Sequence, residues 1–163
     1  HLQGDCIAKV NIGMFHEDEL VSVMSFSHSR FNKKYEWEIV RFASKIFNSV
    51  VGGASRMFNY FVNEYDVNSV ITYADRRFSE GGVYKSIGFK EEKDTTPNYF
   101  YFKENTLNLL SRHHFQKRNV KLILNQWDDS LSVRDNIFNN KFRVLYDCGN
   151  KVFVWNTKET LHY

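Results

Sequence analysis

Proline is almost missing from this chain, cysteine is scarce, and no apolar stretch is long. Pro97 is the only proline, and with no internal repeat or low-complexity tract there is no legible linker between regions. Cys6 and Cys148 lie far apart, without metal-type spacing. No zinc motif results, and a reduced intracellular protein is the plain reading. No run of about 18 apolar residues occurs, so no membrane-spanning helix is expected, and no signal peptide is legible. Excess charge is weak too. Against 19 Asp and Glu stand 22 Lys and Arg, a net +3, so any nucleic-acid footprint must come from clustering rather than bulk charge. The first residue is His1 rather than Met; we read the chain as a piece of something longer, with a further N-terminal domain expected, or as a processed form.

What is present suffices for a folded body. The 163 residues are 42% hydrophobic and 17% aromatic, with 15 Phe and 9 Tyr, which predicts one globular domain around a ring-rich core. Its organising stretch runs over 36–89. Residues 36–42 alternate charged and apolar side chains, a period-2 strand signal. Gly52 and Gly53 then turn the backbone into an apolar helical run that includes Met57, Phe58, Phe61 and Val62. The first helical N–H groups are left bare at the positive end of the helix dipole, a ready place for an anion. Residues 69–75 form a β-branched strand ending in the Asp75 carboxylate, and 82–89 reads as one or two helical turns closed by Gly88.

Before this stretch, 6–15 and 20–27 read as strands joined by a polar turn at 16–19, a hairpin. After it, 98–102 reads as a strand returning to the sheet. Residues 107–121 are basic with Phe115 interleaved, and 127–136 reads as a loop and a short helix capped by Ser or Asp. At the end, 142–146 and 151–155 flank a glycine-containing four-residue turn, a terminal β-hairpin. The whole is an α/β pattern: a mixed, mostly antiparallel sheet with flanking helices. We divide it into 1–103, carrying the sheet, and 104–163, a basic C-terminal extension packed on the same domain.

Ser49-x-x-Gly52-x-Ala54 and Tyr84-x-x-x-Gly88-Phe89 carry a resemblance. They look like the acyl-CoA-binding half of the GNAT N-acyltransferase fold, in which a Q/R-x-x-G-x-G/A loop binds the CoA pyrophosphate and a later helix bears a tyrosine. Ser49 departs from the first loop position. Glu38-x-x-Arg41, the Gly-Gly loop, Thr72-Tyr73-Ala74-Asp75 and Gly82-Val83-Tyr84 are also similar to the Mom-type DNA-modification proteins of phages. Arg30-Phe31-Asn32-Lys33-Lys34, Tyr73-Ala74-Asp75-Arg76-Arg77 and Tyr146-Asp147-Cys148-Gly149-Asn150 resemble a GNAT-like domain of phage homing-endonuclease-type proteins, over nearly the whole chain. These resemblances imply acetyl-CoA or another acyl-CoA as donor and an amine acceptor on or near DNA. They also imply a nuclease domain ahead of His1 and, for a phage protein, the cytoplasm of an infected bacterium.

They imply roles as well. Backbone N–H groups of Gly52, Gly53, Ala54 and Ser55 hold the pyrophosphate, with Arg56 adding charge. Tyr84 protonates the leaving thiolate, Asp75 assists the attacking amine from the carboxyl end of its strand, and Arg41 is a further catalytic candidate. Each has a plainer reading: the glycines start a helix, Tyr84 packs on Phe89, and Asp75 caps a turn. Glu38 and Arg41, three apart on a strand, point to opposite faces. Three basic groups suit either a phosphate backbone or a solvated face: Arg30, Lys33 and Lys34; Arg76 and Arg77; Arg112, Lys117 and Arg118. Phe78 and Tyr99 suit stacking on an unpaired base. His113 and His114 lack a third ligand at useful spacing, so no metal site is read there. Two functions lead, an acyl-CoA-dependent N-acyltransferase acting on or near DNA and a non-catalytic DNA-binding module; acetylation of a protein or small-molecule amine stays open as a third, with no acceptor specified by the sequence.

Overall fold

Two non-glycine residues with positive φ, Glu17 (48°) and Asp18 (64°), close the first hairpin. Two successive left-handed residues give the tight turn whose twist matches that of the strands it joins. Those strands are β1 (Val10–His16) and β2 (Glu19–His28), paired antiparallel. The computed structural model describes residues 6–157, and within them β1 starts at Val10, later than the alternation from Cys6 suggests. On the other side of β2 lies β3 (Trp37–Ser44), antiparallel to it. The chain then crosses over through α1 (Gly53–Glu64) to β4 (Ser69–Asp75), parallel to β3.

A short helix, α2 (Gly82–Ser86), and a two-residue strand, β5 (Lys90–Glu91), follow. The α2 helix ends as its sequence predicts. Gly88 has φ 89°, Phe89 N–H donates to Tyr84 O (3.0 Å) and Gly88 N–H to Lys85 O (3.1 Å), which satisfies two terminal carbonyls at once.

Here the chain leaves this sheet. Thr96–Gly149 forms a second unit, with β6 (Tyr99–Lys103), β7 (Leu110–Ser111), a 3₁₀ turn at Arg112–Phe115, α3 (Val120–Ile123), α4 (Val133–Asn139) and β8 (Phe142–Tyr146). Its three strands pair in the order β7-β6-β8. The strand expected to return to the main sheet after Pro97 is therefore β6, and it pairs in this separate sheet. One cause is local: the Asp147 carboxylate accepts from Asn98 N–H (2.7 Å) and Gly149 N–H (2.9 Å), which ties the start of β6 to the end of β8. The short helix expected within 127–136 is α4, and its cap is as read, with the Ser132 hydroxyl accepting from Asp135 N–H (3.1 Å).

From Asn150 the chain rejoins the first unit as β9 (Asn150–Asn156), antiparallel to β4 on one side and to β5 on the other. The main sheet thus runs β1-β2-β3-β4-β9-β5. The two terminal strands sit where the sequence places them, joined by Asp147–Gly149, but their ladders are formed elsewhere, β8 on β6 and β9 between β4 and β5.

The core of the first unit is ring-rich. Phe26, Phe58, Phe61 and Phe153 are at most 1% exposed, and each such burial contributes about 1.5–3 kcal/mol. Phe26 stacks on Phe61 at 3.6 Å, and Phe58 meets Trp155 edge-on at 5.2 Å. This cluster joins α1 to one sheet face, while Tyr35, Ile71, Val152 and Val154 fill the other. The second unit has its own core of Phe115, Val120, Leu124, Ile137 and Phe142. Among the described residues no helix is long and apolar enough to cross a membrane.

Candidate active site

β3 and β4 run together only briefly. Their parallel ladder consists of Trp37↔Val70, Glu38↔Ile71 and Ile39↔Thr72. Beyond it, β3 continues along β2 to Ser44 and β4 along β9 to Asp75. The parting coincides with a bulge: Ser25 faces Arg41 and Phe26 faces Ile39, which leaves Val40 as the extra residue. A bulge bends its strand and sharpens the twist, here away from β4. Thr72, fully buried, marks the last shared step by donating its hydroxyl to Ile39 O (3.1 Å). In the gap past this point is a cavity of about 190 Å³, lined among others by Val40, Arg41, Asp75, Phe78 and Tyr84.

The bulge also overturns one expectation. Ser25 and Ser27 are two apart on β2 and face Arg41 and Glu38 respectively, so Arg41 and Glu38 share a face rather than opposing each other. Glu38 is 1% exposed. Its carboxylate accepts from Arg30 N–H (3.2 Å), Nε (3.3 Å) and Nη2 (2.5 Å), and the hydrogen bond to Glu38 raises the Arg30 pKa above its ordinary value. Arg30, placed by sequence among DNA contacts, is here the partner of a buried carboxylate. Arg30→Ala leaves that carboxylate stranded. Denaturant unfolding is expected to show a loss of about 2–3 kcal/mol, below the value for a fully buried pair because Arg30 is half-exposed. Adding Glu38→Gln should recover most of it; a double variant no more stable than Arg30→Ala would assign the loss to packing instead.

Tyr84 reaches the gap from α2. Its ring lies 5.5 Å from Phe153 and 6.0 Å from Phe89, so the packing contact read from sequence is present. Its hydroxyl hydrogen-bonds Thr72. Burial pushes the Tyr84 pKa up, while the Thr72 hydrogen bond and the nearby Arg41 charge pull it down, and the net direction is upward. At neutral pH this group is a phenol, able to give up a proton.

The glycine loop forms a second cavity of about 270 Å³, lined by Ser49, Gly52, Gly53, Ala54 and Ser55. Phe42 and Val83 line both cavities. Gly52 caps α1 with φ 69° and no side-chain hydrogen bond, and the first turn contains no acidic residue. Gly53 N–H is taken by Val50 O (3.0 Å), whereas those of Ala54 and Ser55 have no intrahelical acceptor by geometry. A Cβ on Gly53 would stand 3.0 Å from Val50 and 3.2 Å from the Met14 sulfur. Arg56 is exposed on a separate groove beside β1.

The other predicted residues have local partners. The Asp75 carboxylate accepts from Arg77 N–H (3.0 Å), Nε (3.0 Å) and Nη2 (2.6 Å), and its carbonyl from Phe78 N–H (2.9 Å). It lines the gap while holding a turn. Arg76 lies 3.4 Å from Asp94. Arg77 also sits over the exposed Phe78 ring at 5.2 Å. Lys33 donates to Ser29 O (2.5 Å) and Lys34 lies over Tyr35 at 5.5 Å. In the second unit, Arg112, Lys117 and Arg118 are exposed. Arg41, Asp75 and Tyr84 are thus brought to one cavity and residues 52–55 to its neighbour. Sequence reasoning quoted Thr72 only within a motif and gave it no role, and it did not foresee the burial of Glu38. No protein-family model matches the chain, and no curated protein matches it either.

Proposed function

We propose that the forked sheet belongs to a GNAT-like N-acyltransferase that takes acyl-CoA as substrate and acylates an amine on or near DNA. The observation that carries this reading is the fork: two parallel strands part at a bulge, and the gap holds a phenol beside a neighbouring glycine-loop cavity. In this reading the thioester end lies in the fork and the pyrophosphate meets the bare N–H groups at the start of α1. The acceptor nitrogen attacks the thioester carbon, and N–H groups of β3 past the bulge stabilise the oxyanion. The C–S bond then breaks and the sulfur takes the Tyr84 proton. Asp75, held by Arg77, orients the amine, whose surplus proton leaves to solvent.

Calorimetric titration with acetyl-CoA tests the reading. Binding in the micromolar range is expected, weakened at least about tenfold by Gly53→Glu. Ser55→Asp is the companion variant, because an acidic residue in the first turn favours the helix yet repels a pyrophosphate. Wild-type protein that ignores acetyl-CoA would overturn the proposal. Ser49, where the resembling loop carries Gln or Arg, favours the second reading of a DNA-binding module without transfer chemistry. Salt-sensitive DNA binding by a protein blind to acetyl-CoA would select it.

A further inference from the structure

Positive charge is unevenly divided along the chain. Thr96–Gly149 carries eight Lys and Arg against five Asp and Glu, whereas the remainder carries 14 of each, so the whole net +3 resides in the smaller unit. Much of it is gathered in one short segment. Phe115 and Val120 are buried anchors, and between and beside them Arg112, Gln116, Lys117 and Arg118 are exposed. The ion pairs of this unit are Lys121–Asp129 (2.8 Å) and Arg143–Glu104 (2.5 Å). Among the described residues, Arg112, Lys117 and Arg118 belong to none. Three cations without a carboxylate are a net attraction for phosphate.

Beside them lies an aromatic platform. Tyr99 on β6 and Tyr146 on β8 face each other in register, with rings 5.8 Å apart. The next pair on that face is Tyr101 with Val144, and Tyr101 stacks on Phe115 at 4.2 Å. One end of this sheet face is therefore core, while at the other Tyr146 is 66% exposed. The Arg112 guanidinium stands 5.7 Å from the Tyr99 ring. An open tyrosine pair flanked by unpaired cations has the two ingredients of single-strand recognition: π-faces for bases, and charges that follow the backbone. A duplex keeps its bases stacked on one another and offers the tyrosines nothing.

We infer that Thr96–Gly149 binds single-stranded DNA, with a base on Tyr146 and Tyr99 and phosphates along Arg112, Lys117 and Arg118. The inference deepens the DNA half of the proposed function and is independent of acyl transfer. The same protein sample separates the two, since acetyl-CoA binding and DNA binding are read separately.

Fluorescence anisotropy of the full chain with a labelled oligothymidylate of about 20 nucleotides tests it, alongside the matching duplex and oligouridylate, from about 20 to about 200 mM salt. The DNA single strand is expected to bind tightest. Three phosphate contacts predict a slope of log K against log salt of about −2, and the Lys117→Gln/Arg118→Gln double variant should bring it to about −0.7. Tyr146→Ala should weaken binding about tenfold with the slope unchanged, and Tyr146→Phe should restore it. Absence of binding at the lowest salt, preference for duplex or RNA, or a slope indifferent to the double variant would each overturn the inference.

Discussion

Tyr84→Phe is expected to slow acyl transfer by about 10²–10⁴-fold while acetyl-CoA affinity stays within a few-fold. The substitution removes a single oxygen. Ring contacts with Phe153 and Phe89 persist, and Thr72 keeps its bond to Ile39 O, so the fork should keep its shape. Only the proposed proton donor is lost. The pH profile supplies an independent sign. Burial raises the Tyr84 pKa, so the protonated, active form persists through neutral pH and is lost only as pH climbs past the ordinary tyrosine range of about 10. Wild-type rate should fall on that alkaline limb, and the limb should vanish in Tyr84→Phe. Release of CoA thiol at saturating amine measures both. A variant with full rate would leave Tyr84 as packing alone.

Gly81→Ala is expected to cost about 2–5 kcal/mol in denaturant unfolding. Gly81 precedes α2 with φ 74°, and a Cβ there would lie 2.2 Å from the ring of Phe153, which is fully buried. Left-handed backbone costs a non-glycine residue about 1–2 kcal/mol, and overpacking adds about 1–3 more. The ring cannot swing aside, because Tyr84 lies against it. Relief therefore comes by lifting α2, which carries Tyr84, and weaker thioester binding should accompany the lost stability. Gly52→Ala is the control: φ is 69° there too, but nothing stands within 4 Å of the added Cβ, so the loss should be confined to the backbone part. Equal losses at both positions would show that the Phe153 contact is unimportant.

Local features of this fold are written locally. The strand over 69–75, the glycine-started helix and the Gly88 stop were readable because each depends on neighbours a few residues away. Partner choice was not. β6 looks the same in sequence whether it joins the main sheet or its own, and the deciding contact, Asp147 to Asn98, spans 49 residues. The site shows the same division. Tyr84, Arg41, Asp75 and the loop stand out in sequence as residue types, but the fork that gathers three of them depends on the bulge at Val40. Val40 looks like any strand valine. Glu38 is a related case: a carboxylate alternating with apolar residues gives no local sign of burial, yet it is 1% exposed and Arg30 neutralises it.

The position of β9 has a consequence for biosynthesis. Among the described residues it is the last of nine strands in sequence, yet it lies between β4 and β5, inside the sheet. A ribosome delivers the other eight first, and β4 must wait with one edge unpaired while all of Thr96–Gly149 is made. An open edge beside a ring-rich core is a hazard for self-association. The nascent chain is thus most vulnerable between the synthesis of β4 and that of β9, and the main sheet can close only once Asn150–Asn156 has cleared the exit tunnel.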